Sequence, residues 1–276
     1  MKNPLSDKII LITGASGGIG EAAARAFDRE GACVILASRN QAKLESIACE
    51  MKLAGVYAID MMDEAAVKEM ILKVIEKYSR IDILINNAAS IIVSPVETVT
   101  SEDMLKAMRT NLIGPMVAVQ TLMPFMKKLG GGHIINIGSP GYMMGIPYYA
   151  PYVCSKAAVS AWTRTMQAEW AGSEIMVSEY FPGYIKTDSK PESRVGEVAQ
   201  DLLMEEKQNF LTRTFAKPKT PEDVARQLIK LALKPRILAY SGSGVRIGAF
   251  ISNFAGFRLG IAKQMAETAR TKMNGS

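Results

Sequence analysis

The chain has 276 residues, 48% hydrophobic and 22% charged, a balance that points to a packed globule and excludes a disordered chain. Three cysteines without metal-like spacing and a single histidine argue against a zinc site or a disulfide framework, and no metal is expected. The net charge of +6 sits wholly in residues 234–276, which hold seven basic side chains and one acidic, while residues 1–233 balance. A basic tail on a neutral body suits an anionic partner. The opening M-K-N-P-L-S-D-K is too polar and too short for a signal peptide, and no charge-free stretch is long enough to span a membrane. A cytoplasmic protein with reduced thiols is expected, with Cys33, Cys49 and Cys154 acting as small buried hydrophobes. No linker-like run or internal repeat divides the chain, which reads as one domain.

Strand and helix signals alternate. K-I-I-L-I-T at 8–13 is a short apolar strand, followed by a helical pattern over 19–30 that Gly31 ends. A-C-V-I-L-A at 32–37 is a second strand, with a helix through 43–52. V-Y-A-I-D at 56–60 is a third, and residues 63–78 have helical spacing that puts Ala66, Met70, Val74 and Tyr78 on one face. I-D-I-L-I at 81–85 is a fourth strand, before a long helix over 101–128 with a bend expected near Pro115. H-I-I-N-I at 133–137 is a fifth strand, 152–171 a helix, and I-M-V-S-E-Y-F at 175–181 a sixth strand. Apolar strands separated by helices imply an α/β fold, a doubly wound, mostly parallel sheet of Rossmann type with helices on both faces. Ligands of such sheets bind beyond the carboxyl ends of the strands, so the residues after each strand carry the functional reading.

After the first strand comes T-G-A-S-G-G-I-G at 13–20. Gly14, Gly18 and Gly20 let the backbone turn sharply and approach a pyrophosphate, and the helix start at Ser16–Ile19 offers free N–H groups to it. The bland alternative is a ligand-free glycine turn. After the second strand come Ser38 and Arg39, where many NAD-binding folds carry an acid for the ribose 2′-hydroxyl. A serine and a guanidinium suit a 2′-phosphate and point to NADP(H), with NAD(H) as the alternative; Arg39 could also be a plain surface arginine at a helix start. After the third strand, Asp60, followed by Met61, can accept from an adenine amine or serve as an N-cap. Then follow N-N-A-A-S at 86–90 after the fourth strand, Ser139 after the fifth, Tyr152 and Lys156 four apart, and P-G-Y-I-K-T at 182–187 after the sixth.

This set resembles the short-chain dehydrogenase/reductase family over about residues 8–235. T-G-x-x-x-G-I-G, N-N-A, the serine, Y-x-x-x-K and P-G-x-I-x-T occur in family order and at family-like spacing. The resemblance implies a catalytic domain over 1–239, an assembly of two or four identical subunits, and hydride transfer between a nicotinamide and a carbonyl or secondary alcohol. It gives Tyr152 the acid/base role. A phenol is a poor base at neutral pH, and an ammonium one helical turn away favours its ionised form. Ser139 would hold the substrate oxygen. Lys156 would also anchor the nicotinamide ribose, and Asn111 would hold a water in a proton relay. The bland reading of Asn111 is a helix-bending polar residue. Asn87 and Ala88 of N-N-A, with Pro182, Gly183, Ile185 and Thr187, would contact the cofactor, the last two at the carboxamide. Ala89 departs from the family's usual glycine, and Gly17 leaves the loop without a basic residue found in some NADP-preferring members.

Residues 183–220, with an amphipathic run at 198–211, and G-Y-M-M-G-I after Ser139 suggest an apolar pocket for a small hydrophobic carbonyl or alcohol, lipid-, steroid- or acyl-like. Tyr148 and Tyr149 read as pocket or packing residues and His133 as structural. No nucleic-acid partner is expected. Residues 240–276 read as a basic amphipathic extension, with Phe250, Phe254, Phe257, Ile261 and Met265 on one helical face amid Arg246, Arg258 and Lys263. It can dock on its own core or a second subunit, or lie on an anionic membrane as a peripheral contact. Two rival functions stay open: a cofactor-binding regulator without turnover, and a membrane-surface protein whose tail sets its location.

Overall fold

Ile9–Thr13 forms β1 with every side chain buried. The computed structural model describes residues 3–185, 192–193 and 219–251. In chain order β1 leads to α1 (Gly18–Arg29), β2 (Cys33–Ser38), α2 (Gln41–Ala48), β3 (Ala54–Ala58), α3 (Glu64–Tyr78), β4 (Ile83–Asn86) and the two-residue β5 (Ile92–Val93). Then come α4 (Ser101–Met108), a π-helical turn (Arg109–Ile113), α5 (Gly114–Lys128), β6 (Gly132–Ile137), α6 (Gly141–Met144), α7 (Ala150–Glu169) and β7 (Ile175–Phe181). Last are β8 (Glu192–Ser193), α8 (Pro221–Leu233), β9 (Leu238–Tyr240) and α9 (Ser243–Ile251).

Seven strands make one parallel sheet in the order β3-β2-β1-β4-β6-β7-β9. The strand order reverses direction between β1 and β4, which register as Leu11 beside Leu84. Because strand side chains alternate, Ile10 and Ile12 go to one layer with Phe27 of α1, Leu44 of α2 and Leu228 of α8. Ile9 and Leu11 go to the other with Met70 of α3, Leu122 of α5 and Met166 of α7. Burial on both faces explains why the strands are apolar throughout.

Several local expectations change. On α3 the buried set is Val67, Met70, Ile71 and Val74, with Ala66 and Tyr78 only partly buried. Pro115 sits in the first turn of α5, directly after the π turn that interrupts the long helical run. Cys33 is buried, but Cys49 and Cys154 are exposed thiols and not core hydrophobes. Helix α8 starts with a capping box in which Thr220 and Asp223 satisfy each other's backbone N–H groups, Pro221 following the cap. Tyr240 closes the sheet-edge strand β9 at the start of the segment read as an extension. The run 198–211, Thr187 and the tail from 252 lie outside the described residues. Among the described residues no helix is long and apolar enough to cross a membrane.

His133 lies at the amino-terminal part of β6, 6% exposed. Ser178 Oγ donates to the Arg236 carbonyl at 2.6 Å, so the 2.7 Å contact between His133 Nε2 and Ser178 Oγ requires the proton on Nε2. Burial pushes the imidazole down to about 4. The unfolded chain therefore binds a proton near pH 6.5 that the folded chain refuses, and stability from this group is lost as pH falls from there towards 4. Urea unfolding of the wild type and His133→Asn should show the variant gaining about 3 kcal/mol relative to wild type across that window. A constant difference would sink this reading.

Candidate active site

The seven strands of the main sheet deliver the residues that follow them to one cavity of about 1060 Å3. Gly14 follows β1, Arg39 β2, Ile59 β3, Asn87 β4, Gly138 β6, Pro182 β7 and Ser241 β9, and all of these line it. It opens where the strand order reverses, the position such sheets use for ligands.

The glycine loop forms the cavity's floor on one side. Gly14 adopts φ +67°, and a Cβ there would lie 2.8 Å from Ala88 Cα. At Gly20 a Cβ would lie 2.2 Å from the Gly14 carbonyl oxygen. The loop is locked from β4: Asn87 Nδ2 donates to the carbonyls of Thr13 and Gly14 at 3.0 and 3.2 Å. Thr13 Oγ1 accepts from the N–H groups of Asn87 and Ala88, both at 3.1 Å. Ser16, Gly18 and Ile19 line the cavity, whereas Gly20 lies behind it and acts through the loop's shape. Ala89 also lines it and has no left-handed backbone, so alanine in place of the family's glycine costs no strain there.

Ser38 and Arg39 line one end of the cavity, with Asp60 and Met61. Ser38 Oγ is buried and has no hydrogen-bond partner among the described residues. Arg39 is exposed. An idle buried hydroxyl beside an exposed guanidinium fits the 2′-substituent of a dinucleotide ribose. Asp60 Oδ1 accepts from the Met62 N–H at 3.0 Å, which leaves its second oxygen for a ligand.

At the other end lie Ser139, Tyr152 and Lys156. Ser139 follows β6 and its Oγ accepts from the Gly141 N–H at 3.2 Å. Tyr152 and Lys156 stand one turn apart on α7. Burial raises the Tyr152 phenol, and the hydrogen bond with Ser139 offsets part of the rise. Lys156 Nζ donates to the Ile137 carbonyl at 2.7 Å and lies 5.9 Å from the centre of the Tyr152 ring. Burial pushes Lys156 down to about 8, opposed by the charge of Glu179. The causes acting on the Tyr152 phenol here are thus burial and Ser139, and the expected lowering by Lys156 is not among them.

Asn111 sits in the π turn, 3% exposed, and does not line the cavity. Its Oδ1 accepts from the Ser90 N–H at 2.6 Å, and its Nδ2 donates to the Ser90 carbonyl at 3.0 Å and to Ser155 Oγ at 2.8 Å. Its side chain thus ties the segment after β4 to α7, one residue before Lys156. Pro182, Gly183 and Ile185 line the cavity. Ser155 and Glu179 join the site without a place in the sequence reading, and Thr13, the first residue of T-G-A-S-G-G-I-G, gains a loop-locking role that the motif did not assign. A polar residue inside an otherwise apolar strand is the available signal for Thr13 and Glu179, and Ser155 has none.

The wall beside Tyr152 is apolar. Val93, Ile146 and Tyr149 pack as one buried cluster against Ile91, Tyr148, Tyr152 and Val153. Tyr148 has φ +67°, and its carbonyl accepts from the Ser94 N–H at 2.8 Å.

Comparison with known proteins places the chain in a family. A family profile described as short chain dehydrogenase matches residues 8–197. A Drosophila melanogaster protein named dehydrogenase/reductase SDR family protein 7-like is 32% identical over 241 residues, 84% of this chain and 72% of that one. A Thermotoga maritima 3-oxoacyl-[acyl-carrier-protein] reductase, FabG, is 34% identical over 236 residues, 83% of this chain and 91% of that one. A short-chain dehydrogenase from Streptomyces avermitilis superposes with TM-score 0.77 at 24% identity, covering 98% of this chain and 99% of that one. A single-substitution variant of actinorhodin polyketide ketoreductase with NADPH gives TM-score 0.75 at 25% identity, covering 87% and 97%. The parallel sheet with a cavity at its reversal point is a doubly wound, Rossmann-like fold. The chain belongs to the short-chain dehydrogenase/reductase family.

Proposed function

We propose that the chain is an NADP(H)-dependent oxidoreductase that interconverts a hydrophobic carbonyl compound and its secondary alcohol. The observation that carries the reading is one cavity with the Ser38–Arg39 pair at one end and Ser139, Tyr152 and Lys156 at the other. The NADPH in the related ketoreductase and the 3-oxoacyl reduction named for the Thermotoga relative support it.

Bound there, a nicotinamide supplies or accepts the hydride. Gly14, Ser16, Gly18 and Ile19 would hold the pyrophosphate, with Asp60 and Met61 beside the adenine and Asn87, Ala88, Pro182, Gly183 and Ile185 along the rest of the cofactor. Ser139 would donate to the substrate oxygen and orient it at the Tyr152 hydroxyl. Tyr152 gives its proton to that oxygen in reduction and takes it back in oxidation. Lys156 favours the ionised phenol, and Asn111 keeps α7 in register with the segment after β4. The apolar cluster around Ile146 and Tyr149 favours an acyl- or lipid-like chain and excludes water from the reacting carbon.

A fluorescence titration with NADPH and, separately, NADH tests the cofactor. NADPH should bind more tightly, and Arg39→Ala should weaken NADPH by about 10–100-fold while leaving NADH within about twofold. Tighter NADH binding sinks the NADP(H) assignment. Binding of neither sinks the enzyme reading.

A further inference from the structure

Behind the cavity wall lies a carboxylate that the proton transfer described above does not use. Glu179 belongs to β7 and is 2% exposed, flanked in the strand by buried Ser178 and Tyr180. Ser160 Oγ donates to its Oε2 at 3.0 Å. The Tyr142 hydroxyl lies 3.0 Å from Ser160 Oγ, and since the serine's proton goes to the carboxylate, the tyrosine is the donor there. Oε1 has no hydrogen-bond partner among the described residues. It lies 2.8 Å from the point a Cβ on Gly138 would occupy, and Gly138 lines the cavity. Gly138 follows Ile137, whose carbonyl holds Lys156. The carboxylate and the lysine therefore reach the same two-residue stretch at the end of β6, from β7 and from α7.

A buried carboxylate oxygen without a donor is costly, and a position that served packing alone would be filled more cheaply by an apolar side chain. Resting on the roles given above to Tyr152 and Lys156, we propose that Glu179 is a positioning residue that holds Lys156 in its ammonium form beneath Tyr152.

The charged and titratable groups described around the carboxylate fit that role. From α7, Arg164 and Lys156 favour its ionised form, and from α6 Tyr142 does so through Ser160. From β9, Tyr240 stacks on Phe181 and is raised by burial and, in smaller part, by Tyr142 and Glu179. Burial pushes Glu179 up to about 7, and burial pushes Lys156 down to about 8 against the pull of Glu179. The two groups are thus closely matched, and removing the negative charge lets the lysine lose its proton at lower pH.

Nitrogen-resolved NMR of the lysine side chains, with the Lys156 signal identified by its loss in Lys156→Arg, reads this without cofactor or substrate. The Lys156 midpoint should fall by about half a pH unit or more in Glu179→Gln. Ser160→Ala, which leaves the charge but removes the donor to Oε2, should move it the same way by less and serves if Glu179→Gln does not fold. A midpoint unchanged in both variants overturns the inference while NADPH binding by the wild type leaves the proposed function standing. Failure of the wild type to bind NADPH overturns the function without altering the Lys156 titration.

Discussion

Tyr152→Phe should lower the turnover of any carbonyl substrate by about 10²–10⁴-fold, the range typical of a lost general acid. NADPH affinity, read by fluorescence titration, should stay within about twofold of wild type. The phenol hydrogen-bonds with Ser139, so phenylalanine keeps the ring in the apolar cluster with Ile146 and Tyr149 and removes the hydroxyl with its proton. Burial holds the phenol above its ordinary value, so the neutral acid that reduction needs is the prevailing form. The reverse direction needs the ionised phenol and should gain rate as pH rises. Retention of turnover within about tenfold in Tyr152→Phe would move the acid role to another donor, with Ser139 the nearest candidate.

Gly20→Ala carries the second large effect, and it acts through shape. The new methyl would meet the Gly14 carbonyl oxygen at 2.2 Å, Asn87 Nδ2 at 2.8 Å and Ala15 Cα at 2.9 Å. Two of the three are backbone atoms in a loop pinned from β4, so the methyl cannot be absorbed by a side-chain rotation. Thermal unfolding should show a loss of about 1–3 kcal/mol, the usual cost of overpacking. NADPH affinity should fall by about 100-fold or more, since the loop must open to admit the methyl. Wild-type NADPH affinity in the folded variant would remove the glycine loop from the binding site.

The apolar strands β1, β2, β4, β6 and β7 were legible because both faces of a parallel sheet are buried, so nearly every position must be hydrophobic and the runs stand out, whereas β3, half-buried, was read two residues too late. Helix α8 carries its own signal, the capping box T-P-E-D at 220–223, which the strand-led reading leaves unassigned. The pair β5 and β8 could not be read, for two residues at Ile92 and two at Glu192 carry no period and find each other only through the fold. At the site, Tyr152, Lys156 and Ser139 were legible as residues, and the structure brings them to one cavity. Their electrostatics were not legible. Burial raises Tyr152, and the carboxylate that acts on the lysine comes from β7, the next element in the chain, where no motif marks it.

The π turn at Arg109–Ile113 sets the phase between two helices. It carries one residue more than an α-helical turn needs, and each residue of an α-helix rotates the next by about 100°. Deleting a residue there would yield a smoother, more regular helix from 101 onward. It would also swing Ala118, Leu122 and Met126 off the layer they share with α3 and separate Asn111 from Ser90 and Ser155. The local improvement and the global failure come from the same deletion. Length in this segment is therefore under tighter constraint than residue type, and an alignment that closes a one-residue gap across it would mismatch the buried face of all of α5.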